Sequence, residues 1–305
     1  KIVEERGESF GSNPAGAGAG PYEIVEYSPP ERIVFEAKED WWGGPVCIQK
    51  LTYTFIPDMR ANYEAFVQGE IDSVQLSRDP ALRAEAVEAG HEGAAMMYNG
   101  AFVVMPNAGK GHTADLRVRQ AMLYAIDPNV INQRAWGGDG WSGKGLIHED
   151  SVTLEATTGV AYDPDKARQL LDEYKAETGW DGSIVGLAAA TPASNQEAAL
   201  AAAAMLDAVG FKVTPQVDLP VNDFITQVAV DKNFDLVLSW GVYTAEPVLW
   251  NNLRQWASDN PGNPNGFASE AFDAALDALR AAPDQAAYQA ALEQLQAAID
   301  QDVPF

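Results

Sequence analysis

The sequence predicts an α/β fold of two lobes, and three observations predict it. The chain has 305 residues, which is large for a single domain. Residues up to about 108 combine alternating strand-like runs with short helices. Residues 109–305 follow a β-α-β-α-β order, which is typical of a doubly wound sheet. We therefore expect a β-rich first lobe at 1–108 and a second α/β lobe at 109–305.

The first lobe begins with a predicted hairpin. Apolar and polar side chains alternate on both sides of Ser28-Pro29-Pro30, as they do in two paired strands. Asp58 stands before an apolar helical stripe and is expected to cap that helix. The predicted strands and helices of this lobe lie at 22–27, 32–37, 51–56, 58–68, 79–90 and 101–105.

The second lobe starts with the most regular helical pattern in the chain. Val118, Met122 and Ala125 share one side of a predicted helix over 116–127, and Asp115 is placed as its N-cap. Beyond it, further helices are expected at 128–135, 163–175, 196–209, 222–231, 269–280 and 283–300. The apolar runs at 183–190, 211–217 and 234–240 are expected to form strands.

The composition excludes several classes of function. A formal charge of −24 repels nucleic acids and anionic lipid headgroups, so neither is an expected partner. It fits a soluble or salt-adapted surface, and it leaves open an attraction for cationic ligands. No window approaches the roughly 20 apolar residues of a membrane span. The single Cys47 cannot form an internal disulfide.

Four phrases occur in a fixed order along the chain. They read NPAGAGAGPY at 13–22, EDWWGGP at 39–45, QGEID at 68–72 and LRVRQAMLYAID at 116–127. With these phrases the chain resembles the extracellular solute-binding proteins of family 5, the dipeptide- and oligopeptide-binding class of ABC importers. The resemblance implies a periplasmic-binding-protein type II-like fold, with two lobes joined by a hinge near 106–111.

The resemblance begins part-way into the family's pattern. The opening segments of the first lobe are not matched, so this lobe is expected to be incomplete. Members of the family are secreted or lipid-anchored, which implies a place in the cell envelope, periplasmic or anchored outside the cytoplasmic membrane. Residues 1–6 do not read as an apolar leader. We therefore expect any membrane association to depend on an anchor that precedes this sequence, and the protein to be a monomer.

The glycine spacing of the stretch at 137–145 is similar to that of nucleotide-binding motifs. It satisfies both the Gly-x-Gly-x-x-Gly and the Gly-x4-Gly-Lys spacing. However, Gly145 stands where a phosphate loop needs Ser or Thr, and a helix rather than a strand precedes the stretch. A loop near the mouth of a ligand cleft is the preferred interpretation, with Trp141 as a ligand-facing aromatic residue.

No pattern in the sequence favours catalysis. The three histidines are far apart in the chain, and their spacing does not match a metal site. A Gly-x-Ser-x-Gly nucleophile motif does not occur. We therefore expect no catalytic residues, no metal and no cofactor.

Aromatic residues provide the candidate binding site. Trp240, Gly241, Val242 and Tyr243 follow a predicted strand, and ligands of α/β proteins bind beyond the carboxyl ends of strands. Aromatic faces bind guests by apolar contact or by cation–π attraction. The alternative for Trp240 is a place in the hydrophobic core. The resemblance adds a second stretch to the candidate site, namely Tyr98, Phe102 and Asn107, which could equally be core residues.

The sequence departs from the family at this point. Peptide-binding members resemble Trp-x-x-Asp here, with the Asp pairing with the ligand's amino terminus, whereas this chain has Tyr243. Glu246 lies three residues too late to take that role. A buried ammonium without a carboxylate partner is costly. This favours a neutral ligand, such as an oligosaccharide, or a ligand anchored elsewhere.

The predicted function is non-catalytic. The chain is expected to capture a small solute, a peptide, an oligosaccharide or similar, in the cleft between its lobes and to deliver it to ABC permease subunits. A ligand-sensing or interaction protein with the same fold is the first alternative. A nucleotide-dependent enzyme or a hydrolase is the second.

Overall fold

A computed structural model describes residues 2–11, 14, 16, 18–76, 79–94, 100–190, 193–243 and 249–305. The backbone contacts divide the chain into two compact units, Lys1–Leu76 and Ser77–Phe305. Each unit has its own β-sheet. The division falls earlier than the boundary at 108 that the sequence suggests.

The first unit is built on a three-stranded antiparallel sheet in the order β1-β2-β3. Tyr27 pairs with Ile33 across the first two strands, which confirms the predicted hairpin. The Asp58 side chain accepts a hydrogen bond from the Ala61 backbone N–H at 2.8 Å and so caps the helix that follows. The elements are α1 (Ile2–Arg6), a 3₁₀ turn (Gly7–Gly11), β1 (Tyr22–Ser28), β2 (Arg32–Ala37), β3 (Lys50–Thr54) and α2 (Met59–Val67).

The second unit alternates helices and strands, as the sequence predicts. Its first half contains α3 (Pro80–Glu88), β4 (Gly100–Pro106), a 3₁₀ turn (His112–Ala114), α4 (Leu116–Ala125), α5 (Pro128–Trp136) and α6 (Pro164–Thr178). Its second half contains β5 (Ser183–Ala189), α7 (Ala193–Ala208), β6 (Lys212–Leu219), α8 (Val221–Ile225) with a π-helical turn (Thr226–Val230), β7 (Leu236–Tyr243), α9 (Leu249–Leu253) with a 3₁₀ turn (Arg254–Trp256), α10 (Glu270–Ala281) and α11 (Gln285–Asp302).

The sheet of the second unit has the strand order β4-β7-β5-β6. Strands β5, β6 and β7 are parallel, and β4 joins the edge of the sheet antiparallel to β7. The sequence assigns β4 to the first lobe, whereas its hydrogen bonds place it in the sheet of the second unit. This pairing explains why the division precedes residue 108.

Helices cover both faces of this sheet, so each face has its own hydrophobic core. One core contains Val237, Phe224 and Trp256 with residues of α9, α10 and α11. The other contains Leu238 and Leu206 with residues of α4, α6 and the alanine-rich α7. A parallel sheet buried on both faces is typical of α/β proteins. We refer to these as the α10–α11 face and the α7 face.

Candidate functional site

The carboxyl ends of the parallel strands of the second unit lie at one edge of the sheet, where β7 continues past the ends of β5 and β6. Strands β5, β6 and β7 end at Ala189, Leu219 and Tyr243, and the antiparallel β4 begins there at Gly100. We call this the carboxyl edge, and the opposite edge, where β4 ends at Pro106, the amino edge. Ligand sites of doubly wound α/β proteins lie at the carboxyl edge.

A β-bulge determines the direction of the Trp240 side chain. Val103 pairs with Trp240 and Met105 with Val237, so two steps along β4 correspond to three along β7. The extra residue in β7 places Trp240 on the same face as Val237. Without it, Trp240 would share the face of Leu238. The bulge therefore directs the indole to the α10–α11 face at the carboxyl edge.

The Trp240 indole is held on two sides. Its Nε1–H donates to the Gln255 side-chain oxygen at 3.1 Å, and the Gln255 amide donates in turn to the Asn252 carbonyl at 2.8 Å. The Phe224 ring lies against the indole with its centroid 6.1 Å away. Trp240 is half-buried, so part of its ring remains accessible. An aromatic ring with a fixed orientation loses little entropy when it binds a ligand.

Phe102 lies at the same edge but on the opposite face of the sheet. It pairs with Gly241, next to Trp240 in β7. Its neighbour Val103 packs on the core of the α10–α11 face, and side chains alternate along a strand, so Phe102 points to the α7 face. There its ring stacks on Trp136 of α5, with centroids 5.8 Å apart and planes within 8°.

Asn107 lies at the amino edge. It is four residues beyond Val103, the partner of Trp240, and therefore about 13 Å from Val103 along the chain direction of β4. It is 3% exposed, and its amide donates to the Phe234 carbonyl at 3.0 Å. Its side-chain oxygen accepts from the Gly109 N–H at 3.1 Å. The structure does not bring Asn107 to the other predicted site residues, and its amide is used within the fold.

Two further predicted site residues lie at the end of β7. Val242 and Tyr243 pair through their backbones with Ala101 and Gly100. Tyr98, together with Glu246 beyond β7, lies outside the described residues.

Trp141 belongs to the glycine-rich loop that follows α5. Its ring stacks on His148, with centroids 4.8 Å apart and planes within 7°. A Cβ atom at Gly145 would come within 2.0 Å of the Thr157 carbonyl oxygen. Close packing inside the unit therefore requires this glycine. The rejection of a phosphate loop agrees with this geometry, because helix α5 rather than a strand precedes the loop.

Lys144, in the same loop, has a lowered pKa. Burial lowers the pKa of its ammonium to about 8, while the negative charges of Asp127 and Asp300 oppose that shift. Its Nζ donates to the Leu123 carbonyl at 2.6 Å. The pKa of Asp300 is raised, mainly by burial. Lys144 therefore serves to attach the loop to α4.

Sequence reasoning did not identify three polar residues of this unit. Among the described residues, Asn195 Oδ1 in the first turn of α7 and Ser239 Oγ in the bulged part of β7 are buried without a hydrogen-bond partner. Asn195 follows the carboxyl end of β5, so its amide lies at the carboxyl edge. The third residue is Gln255, which orients Trp240. The bulge and these partners depend on tertiary contacts and leave no signature in the sequence.

Aromatic and amide side chains lie at the carboxyl edge. Aromatic rings stand on both faces of the sheet, and the Gln255 amide is hydrogen-bonded to the ring of Trp240. In the described part of the chain, no group of three or more His, Cys, Asp or Glu side chains is arranged to hold a metal ion. The helices described here include none that is long and apolar enough to cross a membrane.

The sequence matches the bacterial extracellular solute-binding proteins, family 5, over residues 2–264. The chain belongs to this family. A family 5 relative from Brucella ovis, whose name assigns it to peptide binding for an ABC transporter, is 29% identical over 295 residues. That alignment covers 89% of this chain and 53% of the relative. The chain thus spans about half the length of the curated relatives that it matches.

Solved structures show the same fold. Haemophilus influenzae OppA, in complex with the peptide RPPGFSPFR, superposes with a TM-score of 0.79 at 19% identity, covering 99% of this chain and 60% of OppA. Campylobacter jejuni NikZ, in complex with Ni(L-His), gives 0.74 at 18% identity, covering 98% and 62%. The fold is therefore that of the type II periplasmic binding proteins, which confirms the predicted fold class.

Proposed function

We propose that this chain is the solute-binding component of an ABC importer. It would capture a small solute at the carboxyl edge of the second unit and deliver it to permease subunits outside the cytoplasmic membrane. Membership of family 5 supports this role. The observation that carries the choice of site is the fixed, half-buried Trp240 near the carboxyl edge, which the bulge in β7 turns to the α10–α11 face.

We further propose that Trp240 and Phe102, supported by Trp136, contact the solute through their ring faces. Asn195 adds a buried amide oxygen that a donor group of the solute could satisfy. A buried polar atom without a partner costs about 1–3 kcal/mol, so a ligand that supplies the hydrogen bond recovers that energy. Gly241 and the backbones of Val242 and Tyr243 form the strand end beside these groups. Trp141 and Tyr98 stay predictions.

Two classes of solute fit this proposal. Relatives bind a peptide or a nickel–histidine complex according to their names. The absence of a carboxylate at Tyr243 favours an oligosaccharide or a peptide anchored elsewhere. In either case we propose that the solute is bound without chemical change. We also propose that the protein acts as a monomer.

The first test is to identify the captured solute. Mass spectrometry of small molecules released from the purified protein should reveal a peptide, an oligosaccharide or a related solute, recovered intact. A protein that releases a chemically altered product would contradict the non-catalytic proposal. Recovery of nucleotides would favour the nucleotide-dependent enzyme instead.

The second test uses two tryptophans that pack on the same core. Trp240→Phe removes the bond to Gln255 and should lower the affinity for the identified solute about tenfold, as expected for an aromatic anchor. Trp250→Phe is the matched control, because Trp250 is also half-buried but donates to the Leu276 carbonyl at 3.2 Å. Isothermal titration calorimetry compares the two. Equal affinities in both variants would remove Trp240 from the site.

A ligand-sensing role for the same site is the alternative. It would use the same carboxyl edge but transmit binding to a receptor rather than to a permease. Reconstitution with candidate permease subunits separates the two roles. Solute-dependent transport supports the importer, and binding that never supports transport favours the sensor.

A further inference from the structure

A cavity of about 390 Å³ lies on the α7 face, beside the stacked rings of Phe102 and Trp136. It is bounded by the first turn of α3, the last turn of α5 and the residue at the start of the glycine-rich loop. The lining residues are Asp79, Pro80, Ala81, Ala135, Trp136, Gly137 and Asp139. The Trp136 ring thus joins this cavity to Phe102 at the carboxyl edge.

The lining of the cavity favours a positive charge. Its α5 side is the carboxyl end of a helix, where the partial charge of the helix dipole is negative and Arg134 in the last turn offsets part of it. Asp139 contributes a carboxylate, and the indole face of Trp136 attracts cations. The amino end of α3 carries the opposite partial charge. Asp79 compensates for it, because its carboxylate caps that helix by accepting from the Leu82 N–H at 3.0 Å.

A positively charged side chain of the protein already forms an ion pair with Asp139, which lines this cavity. The guanidinium of Arg83, one turn into α3, forms an ion pair with the Asp139 carboxylate, which belongs to a residue 56 positions away in the sequence. Both side chains are more than one-third exposed, so the pair is screened by solvent and weak. A weak internal pair is one that a better-placed cation can replace.

We propose that this cavity is a subsite for an ammonium or guanidinium group of the solute, and that Arg83 occupies its carboxylate until such a group displaces it. The proposal rests on the function proposed above, because the subsite extends the carboxyl edge through Trp136. The subsite provides a carboxylate partner for a cationic group of the solute, which Tyr243 cannot provide. The formal charge of −24 adds a general attraction for cations.

The test uses an added probe, butylguanidinium chloride, and its neutral counterpart N-butylurea. Ligand-observed NMR titration of the whole chain should show that butylguanidinium binds and that N-butylurea binds at least tenfold more weakly. Asp139→Asn should remove most of this difference. Arg83→Met should raise the affinity for butylguanidinium about two- to fivefold, which is the range expected from loss of an exposed ion pair.

The control is Arg168→Met, which breaks the exposed pair between Arg168 and Asp165 in α6 and should leave the titration unchanged. Circular dichroism verifies that all variants are folded, which is expected since the altered side chains lie at the surface. Equal binding of both probes, or a preference that survives Asp139→Asn, would overturn the subsite. The titration uses protein from which bound solute has been removed. It tests the subsite directly, whereas the function proposed above is tested by the released solute, so the two proposals can fail separately.

Discussion

The two edges of the four-stranded sheet differ in the hydrogen bonding of their asparagine side chains. At the amino edge, the Thr113 hydroxyl donates to the Asn107 carbonyl at 2.7 Å. The Asn265 amide there donates to the carbonyls of Pro106 and Pro304 at 2.9 and 2.7 Å. At the carboxyl edge, the Asn195 oxygen is buried and has no partner among the described residues.

This contrast separates stability from recognition. Buried polar groups that are fully bonded stabilise one arrangement of the chain, whereas a group left without a partner weakens the fold unless a ligand completes it. The amino edge therefore holds β4, the following turn and the end of α11 together. Under the proposed function, the carboxyl edge keeps the groups that contact the solute. Substitutions at the two edges should accordingly change different quantities.

The largest expected effect is at Arg119, behind the amino edge. Its guanidinium is buried and donates to the carbonyls of Thr113, Ala114, Asp302 and Val303, at 2.7 Å for Ala114. Burial lowers the pKa of this side chain, which shows that its environment disfavours charge. Arg119→Met leaves four carbonyls without this donor and should lower the free energy of unfolding by about 3 kcal/mol.

The matched control lies two residues earlier on the same helix. Arg117 pairs with Asp115 and Glu177 at 2.9 and 2.7 Å, in a partly exposed position. Arg117→Met should lower the free energy of unfolding much less than Arg119→Met, because its ion pairs are screened by solvent. Urea denaturation measures both variants. Equal losses would show that burial at the amino edge carries no special weight.

The second expected effect concerns Asn107, which sequence reasoning placed in the ligand site. Asn107→Ala removes the bonds to Phe234 and Gly109 and should lower the free energy of unfolding by about 2 kcal/mol. Affinity for the identified solute should stay within about twofold, because Asn107 is at the amino edge. A loss of affinity at unchanged stability would restore Asn107 to the site and break the distinction between the edges.

Much of the second unit could be predicted from the sequence because its signals are local. Asp115 and Asp163 precede apolar stripes at helical spacing, and both side chains cap the helices that follow. The order of strands and helices follows from the same patterns. Local patterns end this strand at Trp240, whereas β7 continues three residues further to Tyr243, because β4 pairs with it there.

What could not be predicted depends on contacts between distant segments. The run at 101–105 reads as a strand, but nothing in it specifies the antiparallel pairing of Phe102 with Gly241. The extra residue of the bulge in β7 changes the face of Trp240 without changing the apolar pattern. For the same reason, the resemblance groups Asn107 with Phe102 in one stretch, although β4 carries Asn107 to the opposite edge.

The smallest expected effect compares one hydroxyl from the amino edge with one from the bulge near the carboxyl edge. Thr113 and Ser239 are similarly buried, at 2% and 4% exposure, but only the Thr113 hydroxyl has a hydrogen-bond partner among the described residues. Thr113→Val should lower the free energy of unfolding by about 1.5 kcal/mol, because the Asn107 carbonyl loses its donor. Ser239→Ala should change it by less than about 0.5 kcal/mol or raise it slightly, because no bond is lost. Chemical denaturation of the two variants and the parent protein measures these changes in the free energy of unfolding. If Ser239→Ala lowered that free energy as much as Thr113→Val, the Ser239 hydroxyl would have to be hydrogen-bonded like that of Thr113.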